Sequence, residues 1–220
     1  MEQELGLSKN DFSVPDFNNS IELKLKTESS NFPITLFSAT FDGRELFELK
    51  RIREKYGIRD KFFTDIKILS IILSGNVFSY WGKYLKMKLY VDRYRRKIFL
   101  LIANANGKVI EKRAYWSFDL LESILMRKLK YLALINSEYK SINSIHYFRC
   151  KNVRFYELKS FDTFISLLES GIITVCINSG VHKKGHKAGK SYDHGISFRI
   201  NKVDLEKLYI PICEETTKKL

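Results

Sequence analysis

Val14-Pro15-Asp16-Phe17-Asn18-Asn19-Ser20-Ile21-Glu22-Leu23-Lys24-Leu25-Lys26 is the stretch on which the reading of this chain turns. From Ile21 onward apolar and charged residues alternate. Side chains of a strand alternate faces, so Ile21, Leu23 and Leu25 point one way and Glu22, Lys24 and Lys26 the other. Glu22 and Lys24 then project side by side, roughly 6.6–6.8 Å apart at their Cα atoms. Pro15 disfavours helix for the residue before it, so Val14 is extended or in a turn and Asp16 opens the segment. A solvated charged strand fits this pattern. So does a metal site, because a carboxylate at a turn followed by Glu-x-Lys on a strand is what a magnesium-dependent phosphodiesterase needs. Two hard oxygen ligands hold the cation, and an ammonium stabilises charge at the scissile phosphate or positions a water.

Composition narrows the partners. The chain has 220 residues, enough for one large domain or two modest lobes. Its 45% hydrophobic and 29% charged content is an ordinary globular balance. Its 38 Lys+Arg outweigh 25 Asp+Glu, for a net charge of +13. That excess favours an acidic partner, either nucleic acid or an anionic membrane surface. No apolar run reaches the roughly 18–20 residues needed to span a bilayer, and the acidic, polar start MEQELGLSKNDF is not a signal peptide. Cys150, Cys176 and Cys213 are scattered, with no C-x-x-C pair. They suggest neither a zinc site nor a disulfide framework, and reduced thiols in a cytoplasm are the expected state. Cys176 lies in an apolar run and reads as core.

Along the chain, Glu2 to Leu7 reads as the tail of a helix. The apolar run Phe32 to Ser38 reads as the hairpin partner of the Ile21 strand. Asp42 caps a helix from Gly43 to Tyr56, which carries Arg44, Lys50, Arg51, Arg53 and Lys55. Residues 65–115 read as a β-meander. Ile66, Ile68, Ser70 and Ile72 mark one strand, and the strands Lys83–Val91 and Lys97–Ala103 flank the basic turn Asp92-Arg93-Tyr94-Arg95-Arg96. Asn106-Gly107 is a hairpin signal. Lys83, Lys86, Lys88, Arg95 and Lys97 make the meander basic on one face, which suits either a DNA groove or a merely soluble surface. Ser117 caps a helix through Leu129, Tyr131–Ile135 is a buried strand, and Tyr147–Phe155 is another strand. Ser160 caps a helix stopped by Gly171, and Ile172–Ile177 is again a buried strand. Helix followed by buried strand, twice over, indicates α/β layering with a mixed central sheet flanked by helices.

A second constellation follows. The strand ending at Asn178 opens into a span from Ser179 to Ile200 containing four glycines and four lysines. His182, Lys183, Lys184, Lys187 and Lys190 suit approach to a phosphate backbone, with Tyr192 beside them. A surface loop or a basic localisation patch has the same composition. The sequel Asp193-His194-Gly195, then Phe198-Arg199, adds residue types that read base edges. Arg bonds guanine O6 and N7 bidentately, and Asp accepts from cytosine N4.

Taken together, Pro15-Asp16-Phe17, Ile21-Glu22-Leu23-Lys24, Thr35-Leu36-Phe37, Tyr115-Trp116-Ser117-Phe118-Asp119, Lys128-Leu129-Lys130-Tyr131 and Gly189-Lys190-x-x-Asp193-His194-Gly195-x-x-Phe198-Arg199-Ile200 resemble the MvaI/BcnI-type restriction endonucleases, a family related to the MutH mismatch-repair nicking enzyme. The matches come in order and cover the chain from about Glu2 to Ile200. The resemblance implies an α/β PD-(D/E)xK restriction-endonuclease-like core, with two lobes around a DNA cleft. About residues 1–60 and later core strands would form the catalytic lobe, and about 172–202 the recognition region. It makes Asp16, Glu22 and Lys24 the catalytic trio. Mg²⁺ (or Mn²⁺ in its place) would sit on Asp16, Glu22 and the backbone carbonyl of Leu23. Asp193, His194 and Arg199 fall in the recognition region, and Lys26 is a candidate phosphate contact. Glu2 matches a glutamate on the helix before the site.

The implied activity is that of a cytoplasmic monomer that nicks one strand at a time in double-stranded DNA, within a short site of the CC-N-GG type. A companion DNA methyltransferase would accompany it in the host. Alternatives are a MutH-like strand-nicking repair enzyme and a truncated, non-catalytic DNA-binding relative. Two departures stand out. The family carries a further upstream segment with a Gly-rich turn. And where the family can show Asp-x-Arg as base readers before the basic loop, this chain has Cys176-Ile177-Asn178.

Overall fold

The computed structural model describes residues 15–42, 45–142 and 145–216. The helix expected over Glu2–Leu7, the glutamate at position 2 and Val14 lie outside the described residues. The chain runs β1 (Ile21–Thr27), β2 (Ile34–Ser38), α1 (Glu45–Tyr56), β3 (Ile58–Arg59) and β4 (Lys67–Leu73). Next come β5 (Ser79–Trp81), β6 (Leu85–Asp92), β7 (Lys97–Asn104), β8 (Val109–Glu111), β9 (Tyr115–Ser117) and α2 (Phe118–Lys128). It ends with β10 (Tyr131–Ile142), β11 (Ile145–Leu158), α3 (Phe161–Glu169), β12 (Ile173–Val181), β13 (Ser191–Ile200), α4 (Leu205–Leu208) and β14 (Tyr209–Thr216).

These elements divide into two compact units. One takes residues up to Ile34, Glu122–Thr163 and the chain from Asn201 onward; the other takes Thr35–Leu121 and Phe164–Ile200. The first unit is built on a mixed four-stranded sheet, β1-β10-β11-β14, in which β1 pairs parallel to β10 and the other pairs are antiparallel. β10 lies between β1 and β11, and Leu132 to Ile135 are buried, as a continuous apolar run demands, with the polar Asn136 and Ser137 buried after them. α2 begins where expected, with Ser117 Oγ accepting the Leu120 N–H at 3.3 Å, and it carries Arg127 and Lys128 in its last turn. Cations are favoured there by the helix dipole.

The second unit holds two five-stranded sheets. One has the order β2-β13-β12-β4-β3; the other has the order β5-β6-β7-β8, with β9 also on β7. From β6 to β8 the meander and its turns are as the sequence predicts. Asp92 pairs with Lys97 across the basic turn, and Gly107 adopts φ 84° at the Asn106-Gly107 turn. The core is aromatic. Phe198 stacks on Phe37 with centroids 4.6 Å apart and meets Trp116 edge-on at 5.5 Å and Phe164 at 6.0 Å. The Trp116 indole N–H donates to the Ala39 carbonyl at 3.1 Å, so the ring is buried without an unmet donor.

Three expectations are corrected. β2 is not the hairpin partner of β1: it lies beside β13 in the second unit, while β1 pairs with β10. In β4 the inward set is Leu69, Ile71 and Leu73, one residue out of phase with the expected Ile68-Ser70-Ile72 row, and Ile72 is 56% exposed. An apolar run on both faces carries no phase signal, so packing decides it. The expected meander over residues 65–115 is divided, because β4 leaves it to pair with β12 and β3 in the other sheet. Truncating Phe198 to Ala removes the ring at the centre of this cluster. The loss should be about 3–5 kcal/mol of unfolding free energy, measurable as a lowered urea midpoint.

Candidate active site

The turn before β1 makes the site. Asn18 and Asn19 both take positive φ, 48° and 53°, and the Phe17 carbonyl accepts from the Ser20 N–H at 3.0 Å. Asparagine tolerates this left-handed pair better than most residues, and two such residues in succession fold the chain back on itself. Phe17 forms an antiparallel bridge to Ile21. Asp16 is thereby carried alongside the strand, and its Oδ2 accepts the Leu23 N–H at 2.9 Å. Among the described residues β1 is an edge strand, with β10 on one side only. The N–H and C=O of one strand residue point to the same side, so the Leu23 carbonyl faces the open edge together with Asp16.

The charged face of β1 is not the solvated one. Glu22 is 2% exposed and Lys26 6%, whereas Leu25 on the opposite face is 44% exposed. The Lys24 ammonium lies 2.6 Å from Glu22 Oε1, and a second ammonium, that of Lys128 at the end of α2, lies 3.5 Å from the same oxygen. The other oxygen, Oε2, is buried and has no hydrogen-bond partner among the described residues. Burial raises the Glu22 carboxyl above the usual carboxylate range. Lys24 and Lys128 pull it down, and the nearby Asp16 charge adds to the rise, with burial the largest effect. The run Lys128-Leu129-Lys130 is plain in the sequence, but nothing local to it assigns Lys128 a role at the site. Only the packing of α2 against β1 brings Lys128 to Glu22.

An orphaned, buried carboxylate oxygen beside a second carboxylate and an outward backbone carbonyl is a fit for a hard cation. Among the described residues no group of three or more His, Cys, Asp or Glu is gathered. The donor set therefore suits an ion that keeps several waters and needs only one or two carboxylates, as Mg²⁺ does. Lys26 differs from expectation. It is buried rather than exposed, its ammonium donates to Ser30 Oγ at 3.2 Å and to the Phe32 carbonyl, and burial with the Lys202 charge lowers its pKa. It holds the chain leaving β1 and does not face outward.

In the second unit, β12 and β13 form a hairpin longer than expected. β12 continues past Asn178 to Val181 and β13 begins at Ser191, so only His182–Lys190 is loop, with one 3₁₀ turn at Gly185–Lys187. Its neck is closed by His182 N–H to the Lys190 carbonyl at 3.0 Å and Gly189 N–H to the His182 carbonyl at 2.9 Å. The His182 and Tyr192 rings lie 4.9 Å apart. Gly180 allows that packing, since a Cβ there would meet the Tyr192 hydroxyl at 2.7 Å. Lys183, Lys184, Lys187 and Lys190 are exposed, and Lys183 lies 3.9 Å from Asp60 and over the Phe62 ring.

Asn178 sits at a bulge, where the pairing with β13 shifts between Ile177 and Ser179. Register and alternation put Asn178, Cys176 and Arg199 on one sheet face, with Ser70 paired to Asn178 on β4. Arg199 donates from Nε to Ser197 Oγ at 2.9 Å, which leaves the outer guanidinium nitrogens to reach outward. Asp193 and His194 are placed in β13 by their backbone, Asp193 opposite Ser179, and their side chains lie outside what the structure describes.

The buried carboxylate has a measurable consequence. A carboxyl whose folded pKa is raised adds stability at low pH and loses it as pH rises through that pKa. Glu22→Gln should therefore melt at a higher temperature than the wild type at pH 7–8 without divalent cations. The gap should close as pH is lowered and Glu22 takes up a proton, as followed by thermal melts across pH.

The MvaI/BcnI restriction endonuclease family model matches residues 1–209. No curated protein sequence matches the chain. Among solved structures, restriction endonuclease MvaI in complex with its cognate DNA substrate is 28% identical, with 98% of this chain and 85% of that chain covered at a TM-score of 0.86. MvaI in the absence of DNA is also 28% identical, with 96% and 82% covered at a TM-score of 0.67. With family sequence and restriction-endonuclease-like α/β fold in agreement over nearly its whole length, this chain belongs to the MvaI/BcnI restriction endonuclease family.

Proposed function

We propose that this chain hydrolyses DNA phosphodiester bonds in a Mg²⁺-dependent reaction, within a short specific sequence of the CC-N-GG type and one strand at a time. The observation that carries the reading is the buried Oε2 of Glu22, without a hydrogen-bond partner among the described residues, beside Asp16, Lys24 and Lys128. Asp16, Glu22 and the Leu23 carbonyl would hold the cation, with Mn²⁺ able to take its place. When bound, the ion polarises the phosphate and lowers the pKa of a coordinated water. Lys24 orients that water or neutralises the charge that builds on the phosphoryl oxygens, and Lys128 supplies a second positive charge at the same carboxylate. The water oxygen attacks phosphorus in line as the P–O3′ bond breaks. A proton passes to the departing oxygen, leaving 3′-hydroxyl and 5′-phosphate ends.

Double-stranded DNA is the partner, a reading supported by the solved complex of MvaI with its cognate DNA substrate. Asp193, His194 and Arg199 read base edges, and Lys183, Lys184, Lys187 and Lys190, with His182 and Tyr192, hold the backbone. Asn178 stands on the same face as Arg199 and replaces an arginine that relatives can show. Asp and Arg pairings of this kind are worth ~1–3 kcal/mol each in base discrimination, so without them the target differs from that of relatives with Asp-x-Arg. The enzyme acts as a monomer in the cytoplasm, alongside a methyltransferase that protects host sites.

The test is cleavage of a long DNA of known sequence, with every cut mapped on both strands. Wild type with Mg²⁺ should cut at one short motif, and EDTA should abolish cutting. Asp16→Ala and Glu22→Ala should show no cutting above background, and Lys24→Ala should lose about 10²–10³-fold in rate. Cutting that survives EDTA, or that persists in both carboxylate variants, would remove the site assignment. Cation binding has its own readout. Mg²⁺ should raise the melting temperature of the wild type, because a ligand of the folded state stabilises it, and should leave Asp16→Asn and Glu22→Gln unmoved.

A further inference from the structure

The sheet β5–β9 has an inner face that closes the core and an outer face that the catalytic and base-reading assignments do not use. Met87, Leu89, Ile98, Leu100, Ile102 and Trp116 line the inner face and are essentially inaccessible. Alternation and register put Tyr80, Lys86, Lys88, Tyr90, Lys97, Phe99, Leu101 and Tyr115 on the outer face. Lys112, just after β8, joins them. Its ammonium lies 4.1 Å from the Tyr90 ring centroid and 4.6 Å from that of Phe99. Lys97 sits 3.8 Å over Tyr115, Lys86 5.0 Å over Tyr80 and Lys88 5.3 Å over Phe78.

Three features set this face apart from a surface kept only soluble. A soluble face mixes both signs of charge, yet none of these four lysines forms an ion pair with a described carboxylate. The carboxylate that register places here, Asp92, accepts the Arg95 N–H at 3.0 Å and lies 3.8 Å from the Arg95 guanidinium. The other carboxylate of this sheet, Glu111, is turned away, hydrogen-bonded to Arg51, Lys55 and Tyr56. Finally, the ammonium groups are lodged over aromatic rings at cation–π distances. They are held in place before any ligand arrives, and less side-chain freedom is given up on binding.

We propose that this outer face is a second, sequence-independent docking surface for the phosphate backbone of duplex DNA, on a different sheet from the base-reading hairpin. The occupant is duplex DNA, the substrate of the proposed reaction, and charge complementarity carries its docking. Phe99 is 8% exposed and Leu101 9%, under the lysine stems, while the rings of Tyr80 (73% exposed) and Tyr90 (41%) stand among the ammonium groups, so a single strand stacked on those two rings is the outcome the test must exclude. What the face offers is a row of fixed positive charges, which is what a phosphate lattice binds. The proposal rests on DNA being the substrate, and it adds where DNA is held without being read.

The experiment is a salt titration of binding to a labelled duplex that lacks any CC-N-GG sequence, in EDTA so that no cleavage occurs. The variants are a fourfold Lys→Gln protein (Lys86, Lys88, Lys97 and Lys112) and the matching fourfold Lys→Arg protein. Removing one lysine–phosphate pairing lowers the slope of log K against log[salt] by about 0.9. The glutamine variant should therefore fall about 3–4 below the wild-type slope, and the arginine variant should keep it. Should the fourfold glutamine protein not fold, as judged by thermal melting, the pairs Lys86→Gln/Lys88→Gln and Lys97→Gln/Lys112→Gln should each fall by about half that amount. An unchanged slope in the glutamine proteins overturns the surface. So does a reduction confined to a single-stranded oligonucleotide of the same length. A wild type that binds no duplex at any salt overturns the nuclease reading as well, whereas a wild type that binds and a variant that matches it removes the surface alone.

Discussion

A carboxylate taken out of water is the constraint around which the first unit is arranged. An isolated buried charge is so costly that it must be neutralised, paired or given to a metal. Glu22 is met by two ammonium groups on a single oxygen, and its other oxygen has no partner among the described residues. Lys24 comes from the same strand, but Lys128 must be delivered by α2, and Tyr209 must pack close enough for the Glu22 charge to raise its own ionisation well above the usual phenol range, on top of the larger effect of burial. β1, α2 and the start of β14 are thus tied to one side chain. An unmet buried oxygen weakens the fold by itself, and it is the feature a bound cation would satisfy.

Beside it, Asp16 depends on backbone geometry instead of burial. Two successive left-handed asparagines reverse the chain, and the carboxylate then caps the Leu23 N–H. That bond uses one oxygen of Asp16 and orients the group along the open edge of β1. A sheet edge is usually a liability, since its unpaired backbone groups invite another strand. Here part of the edge is closed by a side chain and the Leu23 carbonyl faces the same side.

The second unit divides its surfaces by chemistry. The β2-β13-β12-β4-β3 sheet packs apolar residues such as Val175, Ile177 and Phe198 inward and turns Cys176, Asn178 and Arg199 to its other face. The bulge at Asn178 re-aims the strand just before the basic loop, a common use of bulges next to functional sites. The β5–β9 sheet turns lysines laid over aromatic rings outward. One face carries Asn178 and Arg199; the other carries lysines set among aromatic rings.

Much of this was local and therefore legible in the residues alone. The alternation of β1, the turn at Asn106-Gly107, the Ser117 and Ser160 caps and the apolar run of β10 all depend on neighbours within a few positions, where propensity and hydrogen-bond chemistry act directly. The ordered motifs from Pro15-Asp16 to Arg199 carried the family, and the resemblance pointed to Asp16, Glu22 and Lys24 as the trio proposed to act. What the residues did not reveal was which face of β1 is buried. Read locally, Leu23 and Leu25 belong inside and Glu22 and Lys26 outside; the structure reverses this, because β1 docks beside β10 with its charged face covered by α2 and the segments after β1. Nor did they pair β2 with β13, set the phase of β4 or bring Lys128 to Glu22. Each of these joins segments far apart in the chain. Its energy comes from packing and desolvation that exist only once the sheets have assembled, so composition and spacing determined the chemistry available and the tertiary structure decided which groups are taken out of water to perform it.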